Sequence, residues 1–569
     1  MEVLLGINIG HDAGATLLID GTVIFAGNEE RFSRIKNHVG FPFLSIAEAI
    51  SAAGGLKIST VAIEGKAILP LKTLTEKPQR YISALEIIEY INVAKLLIGT
   101  SAGVRLIQRS YHLFQHRRRA ELKATLLDVF EIDAPIYFVD HHTAHIASST
   151  LATKDLKNGL ALSFDASGEG WCSKVAAVES GSLRFLPEFD VPSYFSPAKL
   201  YANITSLLGF RPLRHEGKVT GLAAFGSSNP VAQIIGKQFG FSEKDEMFYN
   251  NLGYETSHLK LRRLLIDYKK EDIAAGAQRV VEDTVVGYLR VILKKTNMSK
   301  QKLYVSGGLF ANVKLNQRII ENTDIKELFV TPNMGDGGLS LGAALLTSRS
   351  KITPLENMYL GVNIPDLPSF EVPSHMVCEL LNEDDISRRI ANLLAANKIV
   401  AISRGNAEFG PRALCNRSIL YSAKDATVNT WLNKRLRRTE FMPFAPVVRD
   451  TDALKYFKLN PSNMLYDFMT CTVECNQITK TECPAIVHVD GTARPQVVQQ
   501  KTNPLMYDIL TKYSGLAGHG VLVNTSFNMH EEPIVNTVHE SIKAFDQSKI
   551  DFLLVGNFLL SQKATAPIL

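Results

Sequence analysis

Cysteine is scarce. Six in 569 residues do not make a disulfide framework, so a reducing cytoplasm is the expected compartment. Cys471, Cys475 and Cys483 lie close together, but C-x3-C-x7-C fits no zinc spacing and lacks a fourth ligand nearby. Long apolar runs are missing too. The most apolar helical stretch, INVAKLLIGTSAGV, carries Lys95 and is broken by Gly99 and Gly103, and nothing reaches the roughly 20 apolar residues a bilayer helix needs. The opening MEVLLGINIGHDAG lacks a basic region and a cleavage site, and no signal peptide is expected there. Neither charge sign dominates: 62 Lys+Arg against 57 Asp+Glu leave +5 over the whole chain. A dedicated nucleic-acid binder concentrates positive charge on one face. Only His116-Arg117-Arg118-Arg119 does so, with Glu121 close behind; it reads as a solvated helix face, an acidic partner being the alternative. What remains is the balance of a soluble globular protein, 46% hydrophobic and 21% charged, in a chain long enough for two to four domains.

The chain does contain a repeated order of strands and turns. VLLGINI, ATLLI and TVIFAG, separated by HDAG and by Asp20-Gly21, read as three paired strands. GLALSFD, SKVAAVE and LRFLPEF, separated by ASGEGW and SGS, repeat that order. Each copy opens with an apolar strand ending near an acid, Asp12 or Asp165, which points to one supersecondary unit used twice, about 150 residues apart. Such a duplicated α/β architecture is typical of actin-like and sugar-kinase-like ATPases, although fold analogy assigns no chemistry. Residues 79–129 and 260–298 read as mostly helical. KLYVSGGLFANVKLN and LFVTPNMGDGGLSLGAALL each read as strand, glycine-rich turn and helix. Prolines without sustained period mark 351–375 as a linker or domain edge. A first domain over 1–355 and a second α/β domain over 376–569 are therefore expected.

Candidate chemistry gathers at strand ends. In VDHHTAHIASS, His141 and His145 are four apart and share a helix face, which is metal-ligand spacing. Capping and packing a helix is the alternative. Two imidazoles need a carboxylate from elsewhere, and Asp336 in MGDGGLS is the best placed. His142 points elsewhere and is expected to hydrogen-bond or pack. Glycine-rich turns follow four strands: His11-Asp12-Ala13-Gly14, Asp165-Ala166-Ser167-Gly168, Ser306-Gly307-Gly308 with Asn312 beyond, and Gly335, Gly337 and Gly338 around Asp336. A turn leading into a helix can aim backbone N–H groups at an anion. None is a Walker A loop and any one alone is a plain turn more often than not, but four together, all after strands, suggest a nucleotide site between two lobes. HEGKVTGLAAFG places Lys218 to meet an anionic oxygen, or only in a tight packing turn. In the second domain, RGNAEFGPRALCNRSIL puts Arg404, Arg412 and Arg417 in one broken loop beside Glu408. Arginine forks there can grip carboxylates and phosphates, with surface ion pairing as the alternative. His488, Asn524 and Asn528 can add neutral hydrogen bonds.

GINIGHDAGATLLIDG, NEERFSR, VDHHTAHIAS, GKVTGLAAFG, SGGLFANVKLN, GDGGLSLGAA, EFGPRALCNRSIL, MPFAP and VNTSFNMHEEPIV together resemble the NodU/CmcH family of O-carbamoyltransferases, over nearly the whole chain. The resemblance implies a first domain like the tRNA threonylcarbamoyl transferases, of actin-like (ASKHA) fold, and a YrdC-like second domain. It implies that the second domain makes carbamoyl adenylate from carbamoyl phosphate and ATP, with Mg2+ accompanying the ATP. The first domain then passes the carbamoyl group to an acceptor hydroxyl and releases AMP, beside an iron ion (Fe2+) held by His141, His145 and Asp336. Under the same resemblance His11 is the base, with Asp12 beside it and Lys218 near the adenylate or acceptor. Asp165, Ser167, Gly168, Ser306, Gly307, Gly308, Asn312 and Gly335 would line the nucleotide. Arg404, Arg412, Arg417, Arg438, His488, Arg494, Asn524 and Asn528 would bind carbamoyl phosphate and ATP. The acceptor would be a hydroxylated small molecule, as in antibiotic biosynthesis, with no nucleic acid or membrane involved and a homodimer admissible. The chain departs from the family pattern at Cys415, where glycine is usual, and at Met442, where arginine precedes PFAP; the carry-over of Arg437 and Arg438 is affected by the second. A tRNA threonylcarbamoylation enzyme and an actin- or chaperone-like ATP-driven binding module are the rival readings.

Overall fold

Short apolar runs and tight turns build the start of the chain. β1 (Val3–Asn8), β2 (Gly14–Ile19) and β3 (Thr22–Asn28) form an antiparallel meander, with Asp20-Gly21 linking the last two. β4 (Thr60–Glu64) and β5 (Ile136–Val139) add in parallel beside β1, giving the order β3-β2-β1-β4-β5. The computed structural model describes residues 1–65, 99–106, 115–154, 156–253, 257–438, 442–461 and 463–563. It divides into a first unit, Met1–Glu29 with Asn37–Leu355, and a second, Glu30–Lys36 with Glu356–Leu569.

The first unit repeats its opening motif. β6 (Gly159–Gly168), β7 (Trp171–Glu179) and β8 (Ser182–Phe185) form a second meander, flanked by the short β9 (Val191–Pro192) and a separate hairpin, β10 (Phe239–Ser242) with β11 (Met247–Asn250). β12 (Lys302–Ser306) and β13 (Glu327–Val330) then add in parallel, so the order β13-β12-β6-β7-β8 mirrors the first sheet strand for strand. Three antiparallel strands followed by two parallel ones, twice over, is the duplicated actin-like plan. LRFLPEF is strand only as far as Phe185; Pro187 cannot donate to a ladder, and Pro187–Phe189 coils into a 3-10 turn. Of the expected helical stretch 79–129, residues 79–98 and 107–114 lie outside the described residues, and His116–Phe130 is helix. There Arg117 pairs with Glu121 at 3.4 Å, as a solvated face would.

Two helices place the chemistry of this unit. Asp140 caps the helix His141–Thr150, its Oδ1 accepting the Thr143 N–H at 3.0 Å, so the helix starts at His141. Lys174 holds the other carboxylate oxygen at 2.8 Å. The helix Leu339–Thr347 packs directly on it: a Cβ on Gly342 would lie 1.9 Å from the Ala144 carbonyl oxygen, so only glycine permits the approach.

The second unit is an eight-stranded mixed sheet. Its strands are β15 (Met376–Leu380), β16 (Val400–Ser403), β18 (Arg417–Ser422), β19 (Ala445–Arg449), β22 (Gln496–Val498), β23 (Val521–Ser526), β24 (Phe552–Val555) and β25 (Phe558–Gln562), in the order β15-β25-β24-β16-β18-β23-β19-β22. A two-stranded ribbon pairs β14 (Tyr359–Ile364) with β17 (Gly405–Glu408), and a second pairs β20 (Val473–Glu474) with β21 (Thr492–Ala493). The stretch 351–375, expected as linker, thus contributes a strand. Helix Glu383–Ala395 buries Ile386, Ile390, Leu393 and Leu394 against the sheet, each contributing about 1.5–3 kcal/mol. The segment Glu30–Lys36, from NEERFSR, belongs to this unit: Arg31 donates to the Gly410 carbonyl at 2.8 Å, and Arg34 to those of Pro533 and Ile534 at 2.8 and 2.9 Å.

Candidate active site

The duplicated topology gathers its functional side chains at the C-terminal ends of the parallel strands. Four donors converge there: His141 and His145 on the helix after β5, Asp165 on β6, and Asp336 after β13. Their ligand atoms all lie within 4.8 Å of one another. His145 Nε2 stands 3.1 Å from Asp165 Oδ2 and 3.5 Å from Asp336 Oδ1; His141 Nε2 stands 3.9 and 3.8 Å from the same two oxygens. Two donors about 2.1 Å from one ion lie about 3–3.5 Å apart, so the set is close to coordination geometry. His141 Nε2 and Asp336 Oδ1 are buried with no hydrogen-bond partner among the described residues, as expected of atoms that face an ion. Two imidazoles and two carboxylates suit a divalent first-row metal rather than a soft monovalent one.

Electrostatics holds the cluster together without an ion. Burial opposes charge on His141, but attraction to Asp165 and the hydrogen bond to Glu64 lift its pKa well above the imidazole range. Burial likewise opposes His145, and Asp165 and Asp336 raise it. Asp165 is held well below the usual carboxylate range: burial works against it, and the two histidines outweigh burial. Burial and the neighbouring Asp165 push Asp336 up.

The surroundings fix each ring. His141 Nδ1 donates to Glu64 Oε1 at 2.7 Å, and His145 Nδ1 contacts Ser306 Oγ at 3.2 Å. His142 turns away, between Ser163 Oγ at 3.1 Å and the Trp171 carbonyl at 2.9 Å. Gly168 packs on the His141 ring; a Cβ there would lie 2.1 Å from Cδ2. His11 follows β1, its Nδ1 3.1 Å from Asp12 Oδ2. Although burial opposes it, Asp12, Asp336 and Asp165 raise His11 to about 9.

Several groups expected at a nucleotide are engaged within the protein. The Gly307 N–H donates to the Met334 carbonyl at 2.6 Å and the Gly308 N–H to Asp165 Oδ2 at 3.3 Å. Asn312 caps the helix Val313–Asn322 and shares two hydrogen bonds with Gln278, at 2.8 and 3.1 Å. The Gly335 carbonyl accepts from the Gly338 N–H. Lys218 is buried in the first turn of the helix Glu216–Ala223, and Ser167 lies near the end of β6.

In the second unit the arginines divide. Arg417 is fully buried, its guanidinium donating to the carbonyls of Arg404, Asn416, Val362 and Gly405 at 2.9–3.1 Å. Arg438 holds the Ser526 and Asn528 carbonyls at 2.6 and 2.9 Å. Arg404 is ion-paired to Asp366 and Glu383 at 2.7 and 2.6 Å. Arg412 and Arg494 differ. Burial lowers Arg412 to about 10, and burial together with Arg412 holds Arg494 well below its usual value; no carboxylate among the described residues offsets either. Arg412 Nε is also buried with no hydrogen-bond partner among the described residues, an arrangement that suits an anion. Asn524 donates to Gln496 Oε1 at 2.7 Å, Asn528 to the Met529 and Glu532 carbonyls, and His488 Nδ1 lies 3.4 Å from Asp490. Glu408 shapes the loop, one oxygen accepting the N–H groups of Leu414, Asn416 and Arg417 at 2.7–3.1 Å. Cys415 sits there at φ +86°, a conformation in which glycine is unstrained.

Comparison with known proteins decides the family. Residues 3–345 match the carbamoyltransferase N-terminus and residues 391–562 the carbamoyltransferase C-terminus. The chain belongs to the carbamoyltransferase family. It is 30% identical to an uncharacterized protein of Methanocaldococcus jannaschii over 98% of this chain and 100% of that one. It is 28% identical to 3'-hydroxymethylcephem-O-carbamoyltransferase of Amycolatopsis lactamdurans, over 61% of this chain and 64% of that one. Among solved structures, full-length HypF in phosphate- and nucleotide-bound form superposes with a TM-score of 0.35 at 13% identity, covering 61% of this chain and 46% of that one.

Within this carbamoyltransferase, one donor of the cluster and one residue beside it lie beyond what sequence reasoning assigns. The sequence places Asp165 in a phosphate-type turn, and the structure sets it among the four donors. Glu64 was not singled out, although TVAIE is a further apolar strand ending in an acid. Because neighbouring carboxylates raise the pKa of both cluster histidines in the ion-free state and a ligating imidazole must be neutral, uptake of a divalent ion competes with protons. Affinity should therefore tighten as pH rises from about 6 to about 8, with proton release measurable by titration in weak buffer. No helix among the described residues is long and apolar enough to cross a membrane.

Proposed function

We propose that this carbamoyltransferase converts carbamoyl phosphate, ATP and water to carbamoyl adenylate, phosphate and pyrophosphate in a YrdC-like second unit. The first unit then transfers the carbamoyl group to a hydroxyl of a small-molecule acceptor, releasing AMP, in the cytoplasm. The observation that carries this reading is Arg412, whose Nε is buried with no hydrogen-bond partner among the described residues and whose charge, like that of the neighbouring Arg494, no carboxylate among them offsets; such a pair suits a phosphoryl group. Arg417 and Arg438 act by holding the loops around that pair, and Mg2+ accompanies the ATP phosphates.

In the first unit, His141, His145, Asp165 and Asp336 hold a divalent ion, iron by resemblance, with zinc and manganese suited to the same donors. When bound, the ion supplies Lewis-acid stabilisation of developing negative charge. His11 receives the acceptor proton. Asp12, at 3.1 Å from Nδ1, orients the ring so that Nε2 faces outward, and stabilises the imidazolium that forms. For this, the charges of Asp165 and Asp336, which help hold His11 near 9, must be offset. The acceptor is an alcohol, as the name of the cephem relative indicates for that protein.

The test omits the acceptor. Wild-type protein given ATP and carbamoyl phosphate should form pyrophosphate only when both are present, whereas a threonylcarbamoylation enzyme would need threonine and bicarbonate. Arg494→Gln should lower that formation by about 100-fold or more without loss of thermal stability, since it removes one of two repelling cations. Unchanged pyrophosphate release by the variant would overturn the assignment.

A further inference from the structure

The two cluster histidines are oriented by equivalent points of the two repeats. β4 ends at Glu64 and β12 ends at Ser306, each the fourth strand of its sheet counted from the outer strand of its meander. Glu64 meets Nδ1 of His141 at 2.7 Å and Ser306 meets Nδ1 of His145 at 3.2 Å. The parallel register makes this possible. Glu64 lies level with Val139 on β5, and the helix bearing His141 starts two residues further on.

We propose that Glu64 is a positioning residue for metal binding, fixing the tautomer and ring angle of His141 so that Nε2 serves the ion. The proposal rests on the reading of the four-donor cluster as a metal site. An ionised carboxylate only accepts hydrogen bonds, so Nδ1 must carry the hydrogen and the lone pair of neutral His141 is on Nε2. That nitrogen is buried and unpartnered, facing Asp165 and Asp336. Both side chains are about nine-tenths buried, so water competes little for the Glu64–His141 bond. Glu64 is not among the four donors; it acts through the ring.

The two partners are not equivalent in charge. Ser306 is neutral, and its hydroxyl lies 3.3 Å from the Met334 carbonyl, which can take its proton while the oxygen accepts from His145. Glu64 brings a full negative charge, which makes His141 the more strongly donating imidazole. With Asp165 and Asp336, it places three carboxylates around a divalent ion, one more than charge neutrality needs. That surplus favours retention of the cation.

Co2+ titration of the metal-free protein tests the role, read by its visible absorption band and by metal content after gel filtration. Glu64→Ala should weaken the Co2+ Kd by about 10–100-fold and shift the band, because the ring loses its constraint. Glu64→Gln should fall between, since its amide oxygen still accepts from Nδ1 without supplying charge. Wild-type Kd with an unshifted band in Glu64→Ala would overturn the proposal. If Glu64→Ala does not fold, Glu64→Gln decides alone: it must bind more weakly than wild type. Failure of the wild-type protein itself to take up Co2+ would instead overturn the metal reading, and this role with it.

Discussion

Asp165→Ala is expected to remove the bound ion and lower product formation by more than about 100-fold, an effect on the scale of losing an electrostatic contact made in the transition state. Asp165 is the donor nearest His145, at 3.1 Å, and it also accepts the Gly308 N–H at 3.3 Å. Its loss removes one of only two carboxylates among the four donors, and with it negative charge that holds a divalent cation. Pyrophosphate formation without acceptor should survive, because the proposed function puts that step in the second unit. Asp165→Asn, which keeps an acceptor but not the charge, should retain weak metal binding. Metal content and the two half-reactions, measured side by side, check this; a variant that kept its ion and full transfer would remove Asp165 from the site.

Arg417→Met should destabilise the second unit by at least about 3 kcal/mol, since each buried polar group left without a partner costs about 1–3 kcal/mol. Arg417 is 0% exposed and donates to four backbone carbonyls from three separate segments, those of Val362, Arg404-Gly405 and Asn416. A methionine fills much of the volume and satisfies none of those oxygens. Denaturant unfolding should show the midpoint of the second unit falling, whereas Arg494→Gln should leave it in place. Equal stability of Arg417→Met and wild type would refute the structural role and return Arg417 to the substrate.

The sequence made the strands, the duplication and the helix pair His141/His145 legible, because those signals are local. Apolar runs of strand length, Asp20-Gly21, and a four-residue spacing each act over a few positions. What it left unread depends on distance along the chain. Asp165 ends a strand in a glycine-bearing turn, and a carboxylate so placed looks alike whether it meets a phosphate site or a metal. Only the approach of His145, 20 residues away, separates the cases. Glu64 is 77 residues from its partner. Arg412 and Arg417 are five apart, yet Arg412 Nε has no hydrogen-bond partner among the described residues while the Arg417 guanidinium is held by carbonyls. Cys415 is the reverse case: its departure from a usual glycine was visible in sequence, and the φ of +86° supplies the reason.

The route of Glu30–Lys36 has a practical consequence. The chain leaves the first unit after Glu29, lends seven residues to the second, and comes back at Asn37 before its final departure at Glu356. After a protease nick near residue 355 the two fragments would be linked only by the docked Glu30–Lys36 segment, held by hydrogen bonds rather than by a continuous chain. A gene cut at the same point would yield a C-terminal fragment lacking the Arg31 and Arg34 anchors to Gly410, Pro533 and Ile534. The two units are thus difficult to inherit, or to engineer, as independent genes.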